Sequence, residues 1–387
     1  MKAAGQPRAR RVEQNGQEQM SKVAPPFRAD HVGSLLRPAA IHVARGRRAR
    51  GQIDDAELRG IEDTAIAEMI VKLESTGIRS ITDGEFRREW FHLDFLRQLD
   101  GVTVAGEIEP SSDSVKTVHQ APPRISVTGT LRHRHDIQVD DFRFVAGHTS
   151  RTPKVSIPSP TMVHFRGGRG GIDIESYPDL DEFFEDLAQC YRDEIAALYA
   201  AGSRYIQLDD TNLAYLCDPV MRQGAVDRGD DPDELPRTYA ALINNALEGR
   251  PDDLTVGIHL CRGNFRSKHF ASGGYEAVAE VLFNDIDVDA YFLEYDDERS
   301  GDFAPLRFFP DDKTLVLGIV TSKTPELEDT DMLKTRLHEA AAYVDLDRMC
   351  LSPQCGFSST IHGNDITEDD QWAKLRLVVE VADEVWS

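Results

Sequence analysis

From residue 26 onward the chain alternates between short apolar runs and longer stretches whose apolar residues recur every three or four positions. Leu58, Ile61, Ala65, Met69 and Leu73 stripe one predicted helix, which Gly77 closes. Leu187, Tyr191, Ile195 and Leu198 stripe another, closed by Gly202. The short runs read as eight strands: "RADHVGSLL" (28–36), "SITDGEF" (80–86), "KVSIPSP" (154–160), "RYIQLDD" (204–210), "LTVGIHLC" (254–261), "AYFLEYD" (290–296), "TLVLGIVTS" (314–322) and "RMCLSPQC" (348–355). A last helix runs from about Glu368 to Trp386. Strands separated by helices pair in parallel, and eight such units close a (β/α)8 TIM barrel. An open doubly wound sheet is the competing α/β arrangement, but the Gly-rich phosphate loop usual after its first strand is missing.

Residues 101–150 break this rhythm. "RISVTGTLRHRHDIQVDDFRFVAG" alternates apolar and polar positions, which predicts a β-hairpin excursion after the second strand. Residues 1–25 are polar and lack an apolar signal core, so they are expected to be a disordered extension, with Met20 as an alternative start. Residues 26–387 are expected to form one catalytic domain.

Composition narrows the partners. The net charge is −23, from 67 acidic and 44 basic residues, which disfavours nucleic acid and anionic membrane as partners. No apolar run approaches the roughly 20 residues of a membrane span. Five cysteines at wide spacings imply no disulfide framework, so reduced thiols and a cytoplasmic location are expected.

In a barrel, functional side chains stand at the C-terminal ends of the strands. Those ends carry His31 and Ser34; Asp83 and Glu85; Ser159 and Thr161, with Phe165 beyond; Asp209, Asp210 and Asn212; His259 and Cys261; Glu294 and Asp296; Thr321 and Lys323; and Cys355. Any one of these is unremarkable where a strand meets solvent. The sharpest subset is His259, Cys261, Glu294 and Cys355. His259 and Cys261 are two apart on a strand and face one side. Two thiols, an imidazole and a carboxylate suit Zn2+, and a thiolate-rich zinc site is suited to holding another thiolate as a nucleophile. Cys190 lies on a helix core face, Cys217 lacks partners, and Cys350 is expected to point away from the metal.

Six stretches, "HVGSLLRP" (31–38), "ITDGEF" (81–86), "YIQLDDTNL" (205–213), "GIHLCRGNF" (257–265), "FLEYD" (292–296) and "SPQCGF" (352–357), occur in the order found in a known family. From about residue 26 to its end the chain resembles the C-terminal catalytic barrel of the cobalamin-independent methionine synthases, in particular short single-barrel members. The resemblance implies zinc held by His259, Cys261, Glu294 and Cys355. It implies that Ser34, with the turn from His31 through Gly33, and the carboxylates Glu85 and Asp209 hold the amino-acid part of homocysteine. Asp210 stands beside that site where the family usually has Glu, and Phe165 matches an aromatic that flanks the pterin.

Two departures concern the methyl donor. Lys323 stands near the position of a histidine that protonates the departing folate nitrogen, and "VHQAPP" (118–123) replaces an Arg-Cys pair that contacts folate. The expected reaction is methylation of a small-molecule thiol, homocysteine, to methionine. The donor is methyltetrahydrofolate or another carrier, such as a methylated corrinoid protein. The alternative is an alkyl transfer like that of epoxyalkane:coenzyme M transferases, with Arg37, Arg87 and Arg88 facing a sulfonate.

Overall fold

The computed structural model describes residues 24–105 and 123–387. Residues 1–23 of the expected disordered extension and most of "VHQAPP" lie outside the described residues. The described residues form ten strands: β1 (Ser80–Ile81), β2 (Asp100–Ala105), β3 (Arg124–Arg132), β4 (Thr152–Pro153), β5 (Val155–Pro158), β6 (Tyr205–Asp210), β7 (Thr255–Leu260), β8 (Ala290–Glu294), β9 (Thr314–Val320) and β10 (Met349–Pro353). Strands β5 to β10 form one parallel sheet in sequence order. β1 pairs in parallel with β4, and Ala29 makes a parallel bridge to Leu351 of β10. Eight staves therefore follow one another as in an α/β barrel. Between residues 28–31 and β1 no regular ladder forms among the described residues. There the His31 ring donates to the Ser80 carbonyl at 3.0 Å and the Thr82 hydroxyl to the Gly33 carbonyl at 2.7 Å.

The first two staves are much shorter than their apolar runs predict. Their chains leave strand geometry early because the site needs turns there. Gly33 has φ 139°, Gly84 φ 65° and Glu85 φ 59°. Asp83 fixes the second turn by accepting the Glu85 N–H at 2.8 Å.

The excursion is half as expected. β2 and β3 pair antiparallel, but residues 139–148 form a helix where the alternation predicted more hairpin. Val139, Phe142 and Val145 are its buried face, spaced by three. Buried Glu194, on the helix Leu180–Ala200, accepts the Ile137 and Gln138 N–H groups at 2.9 and 2.7 Å, so the helix start is held by a tertiary partner.

Inside the barrel, Tyr205, Ala290, Phe292, Val316 and Cys350 form a small apolar cluster. Gly257 leaves room for it, since a Cβ there would lie 3.0 Å from the Phe292 ring. Below the site Asp30 and Lys154, both fully buried, pair at 3.2 Å. The final helix, Glu368–Trp386, ends where the sequence predicts.

Candidate metal centre and cleft

His259 is the last residue but one of β7, with Cys261 just beyond the strand, and the register places His259 beside Asp209 of β6 and Phe292 of β8. β8 ends in Glu294, and Cys355 follows β10. One ligand atom from each of His259, Cys261, Glu294 and Cys355 falls within 4.8 Å of the others. The two sulfurs are 3.4 Å apart. Cys261 donates to Cys355, which holds the Cys355 thiol well below its usual range and pushes Cys261 well above it. The His259 Nδ1–H donates to the Phe292 carbonyl at 3.3 Å, which turns Nε2 toward the cluster.

His259 Nε2 and both Glu294 carboxylate oxygens are buried and have no hydrogen-bond partner. Orphaned buried acceptors are costly, and here they converge with two thiols. The set fits a tetrahedral zinc site in donor number and softness.

Cations back the carboxylate. Arg262 and Arg299 place guanidinium nitrogens 3.9 and 3.8 Å from Glu294 Oε2. Arg262 is itself fixed by the Gly273 carbonyl and the Tyr275 hydroxyl at 2.8 and 2.9 Å. Burial raises the Glu294 pKa, and the Lys323 ammonium opposes that shift. Lys323 Nζ is buried without a hydrogen-bond partner and also acts electrostatically on Cys355.

Beside the metal cluster opens a cleft. Glu85, Asp209 and Ser34 line it together with His259, Cys261 and Cys355. Ser156 donates to Glu85 Oε1 at 3.2 Å, and Gln207 donates to Asp209 Oδ1 at 2.6 Å. Burial pushes the Glu85 carboxyl up to about 7, with Arg88 lowering it and Asp209 raising it further. Burial likewise pushes Asp209 up to about 6, opposed by His259. Two buried carboxylates in one cleft wall make a place for a cationic group. Gly356 is what lets Ser34 approach: a Cβ there would lie 1.9 Å from Ser34 Oγ.

Other expected contacts are displaced from the cleft wall. Buried His31 lies below it, its ring on Ser80 and its pKa lowered to about 4 by burial and by Lys154. Gly33 shapes the turn rather than the wall. Asp210 points the other way from Asp209, as alternation on a strand requires, and accepts from Thr161 and from the Leu213 N–H. Phe165 is buried against Tyr215, with ring centroids 6.0 Å apart, and Lys323 is not among the lining residues but acts electrostatically on Glu294. The three arginines expected at a sulfonate are committed elsewhere. Arg37 donates to the carbonyls of Glu85, Arg88, Ser358 and Thr360. Arg87 pairs with Asp63 at 2.6 Å, and Arg88 donates to the Ser156 carbonyl at 2.5 Å.

Trp90, His92, Arg166 and Phe265 also line the cleft, and none of them stands among the site residues expected from the sequence. Their signal was present as "EWFH" after the Asp-Gly-Glu turn, and as Phe265 four positions past Cys261. Cys190, Cys217 and Cys350 are buried outside the metal cluster, as expected. Among the described residues no helix is long and apolar enough to cross a membrane.

A family model described as the catalytic domain of the cobalamin-independent synthases matches residues 27–384. A Bacillus subtilis (strain 168) protein known as YxjH, itself described as uncharacterized, is 46% identical over 376 residues, covering 96% of this chain and 98% of that one. The methionine synthase of Pyrococcus abyssi is 25% identical over 84% of each chain. A crystal structure of a Listeria monocytogenes protein, titled a putative vitamin-B12 independent methionine synthase, superposes with a TM-score of 0.75 at 40% identity, covering 94% of this chain and 98% of that one.

Proposed function

The chain belongs to the family of cobalamin-independent synthase catalytic domains, a family of methionine synthase-type methyltransferases, and from that premise we propose a zinc-dependent S-methyltransferase that converts homocysteine to methionine. The observation that carries this reading is the convergence of four metal-donor side chains, two of them without any hydrogen-bond partner for their donor atoms, beside a cleft whose wall holds two carboxylates. Zinc held by His259, Cys261, Glu294 and Cys355 supplies a Lewis acid that keeps the substrate thiol ionised at neutral pH.

The remaining roles belong to the chain itself. Glu85 and Asp209 bind the substrate ammonium, and Ser34 on the Gly33 turn frames the carboxylate end. Between them they aim the sulfur at the metal donors, which places the nucleophile for in-line attack. Lys323 offsets negative charge at Glu294 and Cys355. His31, Asp210 and Phe165 act from behind, by holding the backbone and rings that form the wall. A corrinoid protein is not carried forward as methyl carrier, since the matching family is described as cobalamin-independent. A cytoplasmic location remains part of the proposal, on the reduced thiols.

The test is thiol binding. Cobalt(II)-substituted enzyme is expected to show a thiolate-to-metal absorption band with homocysteine; no band at millimolar homocysteine sinks the reading. Glu85 gives a pH signature. With a free-enzyme pKa of about 7 its carboxyl is protonated in acid, and binding an ammonium there must expel that proton. Affinity for homocysteine, measured relative to a thiol without an amino group, should therefore rise as pH increases from 6 and level off above about 7. Glu85→Gln should flatten that slope and weaken homocysteine binding by about 100-fold. A slope unchanged in the variant would remove Glu85 from the ammonium site.

A further inference from the structure

The chemistry proposed above leaves the second substrate unspecified, and the unused wall of the cleft bears on it. Trp90 and Phe265 both line the cleft and stack on each other, with ring centroids 5.9 Å apart and planes 11° from parallel. Tyr215 and Phe270 add two more rings to the lining. Gly263, at φ 90°, is what admits the Phe270 ring, because a Cβ there would lie 2.4 Å from it. Aromatic faces attract desolvated cations. Half-buried Arg166 also lines the cleft and hydrogen-bonds the Tyr215 hydroxyl. His92, 2% exposed, lines the same wall with both ring nitrogens buried and unpartnered.

Apolar cation-binding rings beside a guanidinium and a free imidazole suit a zwitterion. The geometry points to a carboxylate-bearing methyl onium compound, a sulfonium or a quaternary ammonium, as the methyl donor, with its onium methyls against Trp90 and Phe265 and its carboxylate on Arg166 and His92. This rests on the thiol-activating reading of the metal centre.

The proton balance favours the same class. In transfer from an onium donor, the thiolate sulfur forms a bond to the methyl carbon. The carbon–sulfur or carbon–nitrogen bond of the donor breaks, and its electron pair returns to the donor atom. A neutral thioether or tertiary amine departs, and no proton is needed. Transfer from an N-methyl amine leaves an anion that an acid must quench. The cleft offers no free acid for that task. Glu85 and Asp209 are assigned to the substrate ammonium, and Lys323 is not among the residues that line the cleft. Burial and Arg166 hold the His92 pKa well below the usual histidine value, so its ring is neutral.

The experiment measures methionine formed from homocysteine by zinc-loaded enzyme with four donors in parallel: S-methylmethionine, dimethylsulfoniopropionate, glycine betaine and N5-methyltetrahydrofolate. At least one onium compound should exceed the folate by tenfold or more in kcat/KM. Trp90→Leu should raise the KM for that donor by about tenfold while leaving the cobalt-band affinity for homocysteine unchanged. Trp90→Phe should restore most of it. Arg166→Gln should raise the KM for the carboxylate-bearing donor but not for trimethylsulfonium. Turnover with the folate alone, or with none of the onium compounds while the homocysteine band is present, overturns the proposal. Onium turnover indifferent to both Trp90 and Arg166 also overturns it. Absence of the homocysteine band itself takes down the underlying reading as well.

Discussion

Cys261→Ser enzyme is expected to purify with only traces of zinc, where the native chain carries about one per molecule, and to lose methyl transfer roughly a thousandfold or more. The reason is geometric. Cys261 supplies one of two thiols 3.4 Å apart, and His259 Nε2 and Glu294 remain unsatisfied without a shared partner. A serine oxygen is harder, shorter and seldom ionised, so it replaces neither the charge nor the bond length of a thiolate. The fold should persist, because the backbone N–H of Cys261 still donates to the Asp210 carbonyl at 2.8 Å. Cys350→Ser is the control: its sulfur lies in the apolar cluster of the barrel interior, and zinc content should not change. Elemental analysis of the two variants decides the matter. Equal zinc in Cys261→Ser and native enzyme would remove the metal centre from its proposed place.

The second large effect concerns stability. Asp30 accepts hydrogen bonds from the His31 N–H, the Ser80 hydroxyl and the Tyr205 hydroxyl at 2.7, 2.7 and 2.9 Å, besides its pair with Lys154. Lys154 also donates to the His31 carbonyl at 2.5 Å and lies 4.1 Å over the Phe292 ring. Asp30→Ala leaves that ammonium buried and unpaired, and should cost about 3–5 kcal/mol in denaturant unfolding at pH 7. Asp30→Ala combined with Lys154→Met should recover much of the loss, because the stranded charge is gone. Burial opposes ionisation of Asp30, but Lys154 and the hydrogen bonds hold its carboxyl below the usual range. Its stabilisation is therefore present above the unfolded carboxylate pKa of about 4 and is lost as pH falls through the folded value. The gap between native and variant should accordingly shrink below pH 4. A single variant within about 1 kcal/mol of native at pH 7 would show that the pair does not hold the barrel floor.

Both effects concern side chains at stave ends or inside the barrel, and the two differ in how visible they are from sequence. His259 and Cys261 announce themselves by spacing, and Glu294 and Cys355 by their place at the ends of apolar runs. Asp30 and Lys154 lie 124 residues apart, and nothing in either local sequence names the other. The helix at 139–148 shows a related limit. Its alternating pattern favoured a strand, and the helix start is held by Glu194, a side chain of another segment. Trp90, His92 and Phe265 were legible as residues but not as a wall, since they come from loops after different staves.

The order of apolar runs, the helix stripes and the identities of the four clustered donor side chains were legible in the sequence by itself, because periodicity and side-chain chemistry are local properties. Which of Asp209 and Asp210 on β6 faces the cleft was decided only by the tertiary structure. A strand turns successive side chains to opposite faces, and which face looks into the cleft depends on the register with its neighbours. That choice turned Asp209 into the cleft and Asp210 away from it, while the rings of Trp90 and Phe265 and the guanidinium of Arg166 joined the same lining from loops far apart in the chain.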